Sequence, residues 1–129
     1  MDFLSSNSFL MLEKSLGYLW TKQAAIADNV TNAETPGYKE KVVTFEDSLK
    51  DKLVQASRKR TAPVKSMREV LETTPFSVTE QMVQTRMDDN GVNVTAQMSE
   101  AIRNAFQMRY VMSSISSELS VLNSAIRGQ

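Results

Sequence analysis

The chain has 129 residues, of which 41% are hydrophobic and 23% are charged, so it can form one modest core and is unlike fully disordered sequences. Fifteen basic and fifteen acidic side chains cancel, which leaves no net charge to attract a nucleic acid or an anionic membrane. Cysteine and histidine are absent, which excludes disulfides, the usual zinc sites, thiol nucleophiles and the commonest general base.

The sequence also argues against insertion into a membrane and against Sec-type secretion. No apolar run approaches the 18 or so residues that a membrane-spanning helix needs. The N-terminus, MDFLSSNSFLML, opens with an acid where a signal peptide carries positive charge. We therefore expect no direct membrane insertion and no cleavable signal peptide.

The first predicted element is a long helix over residues 8–31. Apolar residues recur there three or four positions apart, interrupted only by Gln23, which is the pattern of a helix that pairs with another helix. The predicted packing stripe consists of Phe9, Leu12, Leu16, Leu19, Ile26 and Val30.

A tight turn is predicted directly after this helix, within the stretch AIADNVTNAETPGY. Thr35-Pro36-Gly37-Tyr38 is a type II turn signature, because proline presets φ at the second position and glycine accepts positive φ at the third. Asn29 and Asn32 lie where the helix ends. We expect their amides to hydrogen-bond the backbone groups that a helix terminus leaves unpaired.

The middle of the chain, residues 39–94, has a different character. One short amphipathic helix is predicted in TFEDSLKDKLVQ, with Thr44 as N-cap and Phe45, Leu49 and Leu53 on one face. The remainder reads as solvated or mobile. Its basic triplet, Arg58-Lys59-Arg60, lacks interleaved aromatic residues and has acids nearby, which favours a solvated loop over a nucleic-acid site.

A short β-hairpin is predicted near residue 90. The segment MVQTRMDDNGVNV alternates weakly and contains Asn90-Gly91, the dipeptide that suits a type I′ turn. Asp88 and Asp89 could suggest a metal or acid–base pair, but adjacent acids before an Asn-Gly turn are ordinary turn residues.

The strongest periodic signal lies at the C-terminus. A helix is predicted from an N-cap at Thr95 to a stop at Gly128. Its outer face carries many serines and few charges, which suits packing against further helices, from other copies or partners. Its stripe alternates steps of four and three, through Ala101, Ala105, Met108, Met112, Ile115, Leu119, Leu122 and Ile126.

The stretch AIADNVTNAETPGYKEKVVTFEDSL resembles the N-terminal signature of bacterial flagellar axial proteins, the group of rod, hook and filament-junction subunits. That signature reads Asn-x-x-Asn-x-x-Thr-x-Gly-Tyr. Pro36 stands at the variable place before the glycine. Five residues match it position by position, namely Asn29, Asn32, Thr35, Gly37 and Tyr38.

Within this group the chain most resembles the proximal rod subunits of the FlgB type. The features in common are the short length, the Phe-Glu-Asp segment after the motif, the Arg109-Tyr110 pair and the ending Ser-Ala-Ile-Arg-Gly. The resemblance covers residues 8–55 and 85–128. It implies paired terminal helices that pack beside neighbouring subunits in a tube, with the turn directing the chain to an outer layer.

The resemblance also implies export through the flagellar type III apparatus and helical ends that fold on assembly. The expected partners are copies of this chain and other basal-body proteins, and no cofactor, metal or catalytic residue is expected. The fold class we predict is mainly α, with paired long terminal helices, a partly disordered middle and a short β-hairpin. Its segments are residues 1–38, 39–94 and 95–129.

The function we predict is that of a structural, non-enzymatic subunit of the proximal flagellar rod, located in the periplasm. Two alternatives stay open. One is another axial subunit of the rod or hook type, and the other is a cytoplasmic helical adaptor. An enzyme is a distant third.

Overall fold

A computed structural model describes residues 6–44, 46–58, 63–74, 77–81 and 91–128. Helix α1 comes first, and a long helix, α4, comes last. The elements in chain order are α1 (Asn7–Thr31), β1 (Glu40–Thr44), α2 (Glu46–Ser57), α3 (Pro63–Thr73), β2 (Ser77–Gln81) and α4 (Val94–Arg127). The chain is mainly helical with a small antiparallel sheet, which confirms the predicted fold class.

Helices α1 and α4 form an antiparallel pair. The C-terminal end of α1 meets the start of α4, where Asn29 hydrogen-bonds Gln97, and the start of α1 meets Glu118 through Ser8. Helix α1 has 25 residues and α4 has 34, so α4 is about 14 Å longer. Because Ser8, near the start of α1, lies beside Glu118, the last turns of α4 extend past the N-terminus of α1.

The ends of both helices are capped, though not everywhere by the predicted residue. Ser6 accepts the amide N–H of Phe9 at the start of α1. Asn93, rather than Thr95, caps α4, because its side-chain oxygen accepts the N–H of Ala96 while Thr95 already lies in the first turn. Gly128 ends α4 in the left-handed region, as predicted.

The middle of the chain contains more structure than the sequence indicated. Helix α2 lies where the amphipathic segment predicted it, but Thr44 is the last residue of β1 rather than an N-cap, and Phe45 lies outside the described residues. Helix α3 was not predicted. Its sequence has proline at the first position and apolar residues at Met67, Val70 and Leu71, a helical pattern that could have been found.

The two strands among the described residues lie outside the segment 82–94, where the hairpin was predicted. Strand β1 pairs antiparallel with β2, from Glu40 opposite Gln81 to Thr44 opposite Ser77. Residues 82–90, including Asp88, Asp89 and the turn residue Asn90, lie outside the described part of the chain. The described residues Gly91, Val92 and Asn93 carry no strand.

The core lies where α2, α3 and the sheet cover the middle of the α1–α4 pair. Leu12 and Leu16 of α1 are partly buried against it. No helix among the described residues is long and apolar enough to cross a membrane. The central cluster is Tyr18, Leu19, Ala25, Val43, Leu49, Leu71 and Val111.

The buried face of α4 differs from the prediction in one of its two rows. Met108 and Ile115 pack against the core as expected, and Leu122 is half-buried. The prediction is wrong for the row that contains Met112, Leu119 and Ile126, because these side chains are exposed in the single chain. The buried row lies one residue earlier in the sequence, as Val111 does relative to Met112. That row was missed because two of its three members are polar and become buried through hydrogen bonds. The exposed residues are Met112 (55%), Leu119 (38%) and Ile126 (74%), and the buried ones are Gln97, Asn104 and Val111.

Candidate functional site

The chain leaves α1 through the predicted type II turn. The N–H of Tyr38 donates to the carbonyl oxygen of Thr35 at 3.3 Å, which closes a four-residue turn. Gly37 occupies its third position with φ +71°, and Pro36 occupies the second. Proline before a positive-φ residue is the defining arrangement of a type II turn, so the sequence signature is confirmed.

Asn32 joins this turn to the end of the helix. Its side-chain amide donates to the carbonyl oxygen of Asp28 in the last turn of α1 at 2.9 Å, and that oxygen also accepts the Asn32 backbone N–H at 3.0 Å. Its side-chain oxygen accepts the Thr35 hydroxyl, and its backbone oxygen accepts the Thr35 N–H. The predicted role of Asn32 as a helix-end partner is confirmed.

Asn29 has a different role from the one predicted. Its side chain pairs with the backbone of Lys41 in β1 instead of with the helix terminus. The Asn29 Oδ1 atom accepts the Lys41 N–H at 2.8 Å, and its Nδ2 atom donates to the Lys41 carbonyl oxygen at 2.9 Å. The amide thus acts as the strand partner that Lys41 lacks on that edge of the sheet.

Two further bonds complete the coordination of Asn29. Its Oδ1 atom also accepts the Tyr38 hydroxyl at 3.3 Å, and its Nδ2 atom also donates to Gln97 Oε1 at 3.1 Å. Gln97 in turn donates to the carboxylate of Glu40 at 2.6 Å. All four hydrogen-bonding positions of the Asn29 amide are occupied, and the side chain is 1% exposed.

These contacts form what we call the helix-exit network. It ties three elements together, since Asn29 belongs to α1, Lys41 to β1 and Gln97 to α4. No motif in the sequence marks Lys41 as a member of this network. The only available signal for Gln97 was a polar residue seven positions before Asn104. The members are Asn29, Asn32, Thr35, Gly37, Tyr38, Lys41 and Gln97.

An ion pair lies at the edge of the network. The Lys41 ammonium is 2.8 Å from the Asp28 carboxylate, and this hydrogen bond and charge raise the pKa of Lys41. Burial raises the pKa of the Tyr38 hydroxyl, the nearby Lys41 charge opposes that change, and the Asp28 and Glu80 charges add to it. Tyr38 therefore stays protonated at neutral pH and keeps its hydrogen bond to Asn29.

The interface between α1 and α4 contains a second polar layer. Asn104 is fully buried, and its amide donates to the Leu19 carbonyl oxygen at 3.0 Å and to Gln23 Oε1 at 2.8 Å. This hydrogen bond accounts for the polar residue Gln23 in the otherwise apolar stripe of α1. A polar pair at one level of the interface favours the register that keeps it paired, because a slip would break the hydrogen bonds that the buried Asn104 amide donates.

The predicted packing residues fall into two groups. Leu19 and Ile26 of α1 are buried, and Leu12, Leu16, Met108 and Ile115 are packed against the core. Met112, Leu119 and Ile126 lie together along an exposed side of α4. Four more large apolar residues of α4 are also exposed at 61% or more, namely Ile102, Phe106, Tyr110 and Val121.

An open apolar groove lies between α1, α2 and α4. Its volume is about 720 Å³, and Tyr18, Leu53 and Tyr110 are among the residues that line it. Apart from Lys50 the lining carries no ionisable acid or base except tyrosine hydroxyls. No group of three or more acidic residues that could hold a metal ion occurs in the described ranges. The described residues thus form a hydrogen-bonded junction between α1, β1 and α4, together with exposed apolar surfaces, chiefly on α4.

Comparison of the chain with protein-family models and with curated proteins finds no match in either.

Proposed function

We propose that this chain is a structural subunit of the proximal rod of the bacterial flagellar basal body. It would be exported through the flagellar type III apparatus and assembled in the periplasm with copies of itself and other rod proteins. Its contribution would be mechanical, through packing of the α1–α4 pair against neighbouring subunits.

The helix-exit network is the observation that carries this proposal. The five residues that match the axial-protein pattern are the ones that bind one another or shape the turn: Asn29, Asn32, Thr35, Gly37 and Tyr38. A chance match of short polar residues would not be expected to form one connected set of contacts. The matching string therefore acts as a structural unit that fixes where the chain leaves the helix pair.

The exposed surface of α4 supports the same proposal. Large apolar residues that remain exposed along a long helix imply burial against another molecule. The serines on the outer side of α4 can satisfy their hydroxyls locally, as Ser114 does by donating to the Tyr110 carbonyl oxygen. Such a helix suits an assembly of helices.

The decisive experiment is imaging of basal bodies purified from the flagellated host with and without this gene. We expect the deletion strain to lack the rod and to be non-motile, and the complemented strain to regain both. Intact basal bodies in the deletion strain would overturn the proposal and favour the cytoplasmic adaptor. If a label attached to this subunit is found at the distal rod or the hook, the alternative of another axial subunit is favoured.

A further inference from the structure

In the described structure, α2, α3 and the sheet cover only one side of the α1–α4 pair. The residues of α1 that line the apolar groove include Ser15 and Tyr18, and a smaller cavity beside β1 is lined by Lys22 and Ala25 of the same helix. These four residues fall in one row along α1. The opposite side of the pair contacts no other described element. We call that side the open face.

Large apolar side chains recur along the open face. On α1 it carries Trp20, which is 60% exposed, and the exposed alanines Ala24 and Ala27. On α4 its large apolar residues are exposed by 38% to 74%, and they are Met98, Ile102, Met112, Leu119 and Ile126.

Helix geometry places these residues on one side of the pair. Trp20 directly follows the buried Leu19, and Met112 directly follows the buried Val111, so each lies about 100° further round its helix than a buried contact residue. Seen along the axis of the pair, the two antiparallel helices turn in opposite senses, and their buried contact positions face each other. One residue forward along either chain therefore moves to the same side of the pair. The residues of α1 and α4 therefore form one continuous surface.

The open face carries Glu13 on α1 and, on α4, Arg109 in its middle and Arg127 at its far end. Glu13 and Arg109 are the two opposite charges that lie beside the paired part of the helices. Both residues are exposed, and neither forms an ion pair with another described residue. The contacts of Ser8 with Glu118 and of Asn104 with Gln23 fix the alignment of the helices. Interpolation between them places Glu13 level with residues 113–114 of α4, about 7 Å along the helix axis from Arg109.

We propose that the open face binds the open face of a second copy of this chain, with the two helix pairs parallel. In that arrangement α1 of each copy lies over α4 of the other. Each Glu13 then meets the partner copy's Arg109 at the rim of the contact, and Trp20 meets the apolar row of α4.

The charges select this orientation over the antiparallel one. Turning one copy end over end lays α1 over α1 and α4 over α4, which at full overlap brings Glu13 towards Glu13 and Arg109 towards Arg109. Like charges facing each other across an interface disfavour that arrangement. Exposed ion pairs add little affinity, so the apolar row supplies the binding and the charges set the orientation.

The area of the open face is sufficient for a specific contact. The part of this row that lies in the helix pair, from Met98 to Leu119, is about 32 Å long, and a helix pair is about 20 Å wide; with the unpaired last turns of α4 this gives roughly 700 Å² per copy. That value lies within the range that each partner buries in a standard protein interface.

The test uses purified full-length chain and its single tryptophan, Trp20. Tryptophan emission should shift to shorter wavelength as protein concentration rises, with dimer formation in sedimentation over the same range. Glu13→Arg or Arg109→Glu alone should weaken association about tenfold. The double variant Glu13→Arg/Arg109→Glu should return to within about threefold of the wild type.

Two matched variants test the apolar part of the contact. Ile102 lies on the open face and is 61% exposed, whereas Val121 lies on the other side of α4 and is 62% exposed. Ile102→Ser should weaken dimer formation about tenfold or more, and Val121→Ser should leave it nearly unchanged. A monomer at all concentrations, equal effects of the two variants, or a charge swap that fails to restore association would each overturn the proposed contact.

The inference rests on the proposed assembly role and adds to it one two-fold contact between copies; because that contact is closed, further copies in a tube join through other surfaces. Its failure is distinguishable from failure of the flagellar proposal. The association measurements need no flagellum, whereas the deletion strain tests the rod whether or not the purified chain dimerises.

Discussion

Asn29 and Asn32 belong to the same short motif but have unequal structural roles. Asn32 makes its bonds near the surface, to groups within the same turn of chain. Asn29 is buried and binds backbone and side chains from three separate segments, at Tyr38, Lys41 and Gln97. The cost of losing each amide should therefore differ, since a buried partner left unpaired cannot be satisfied by water.

Substitution of Asn29 by aspartate tests this difference. The variant keeps the shape but replaces the Nδ2 donor by an acceptor that faces the Lys41 carbonyl and Gln97 Oε1. We expect a loss of about 2–4 kcal/mol in the free energy of unfolding, measured by urea denaturation at fixed protein concentration. Asn32→Ala is the control and should cost about 0.5–1 kcal/mol. Equal losses would contradict the central position of Asn29.

Substitutions at Gly37 test the turn through the backbone conformation alone. It has φ +71°, and a Cβ atom added there would meet no atom within 4 Å, so the space around it is open. Gly37→Val should cost roughly 1–2 kcal/mol or more, because a β-branched residue is strained at positive φ. Gly37→Asn should cost less, because asparagine tolerates that region. Motility at equal export should rank glycine, asparagine, valine, and a valine variant that equals the wild type would refute the requirement.

At the scale of the elements, the α1–α4 pair is held by polar contacts as well as by apolar packing. Lys22 of α1 forms an ion pair with Glu100 of α4 at 3.0 Å, and Arg103 contacts the same carboxylate at 3.1 Å. The hydrogen bond from Lys22 lowers the pKa of Glu100, partial burial opposes this effect, and the Lys22 and Arg103 charges add to it.

This ion pair predicts a pH dependence of stability. Because the pKa of Glu100 is lower in the folded chain than its usual value of 4.5, the stabilisation is present above that value and is lost as pH falls through the folded pKa. Glu100→Gln should reduce the free energy of unfolding by about 0.5–1 kcal/mol at neutral pH. The difference from the wild type should disappear in acid. Glu69→Gln, an exposed carboxyl of α3, serves as the control with little effect at either pH.

A substitution at Leu119 distinguishes packing within one chain from packing between chains. It is 38% exposed, and α4 passes the start of α1 near Glu118, so an aspartate at 119 can reach water in the single chain. Leu119→Asp should therefore leave the circular dichroism spectrum of the dilute single chain nearly unchanged. In an assembly that buries Leu119, the same charge should prevent rod formation and motility without blocking export. A motile strain would contradict burial of Leu119 between subunits.

At the scale of the whole molecule, much of the helical surface lacks a partner within the chain. The second half of α4 has few buried residues, and the last turns extend past α1. Isolated helices gain little stability without packing. Folding of both terminal helices should therefore depend on association.

Circular dichroism as a function of concentration tests that dependence. Dilute chain, at micromolar concentration, should show much less helix than Asn7–Thr31 and Val94–Arg127 would supply, and the signal should rise with concentration. Ile102→Ser should move this rise to higher concentration, whereas Val121→Ser should not. Full helix content in a dilute monomer would count against assembly-coupled folding.

The sequence by itself determined the elements whose signals are local. The periodic apolar spacing predicted α1 and α4 to within a residue or so at their ends, and the Pro-Gly pair predicted the type II turn. The stop at Gly128 followed in the same way. Each depends on residues close together in the chain, so neighbouring side chains and backbone preferences are enough to define it.

Only the tertiary structure decided which polar residues are buried and which apolar residues are exposed. Gln97 and Asn104 enter the α1–α4 interface because Asn29 and Gln23 lie opposite them, and that pairing joins residues 68 and 81 positions apart. The pairing of β1 with β2 is likewise set by contacts distant in sequence. Met112 is exposed because Val111 occupies the interface. Burial of a polar side chain becomes favourable when partners accept or donate its hydrogen bonds, and local sequence spacing cannot identify a partner that is distant in the chain.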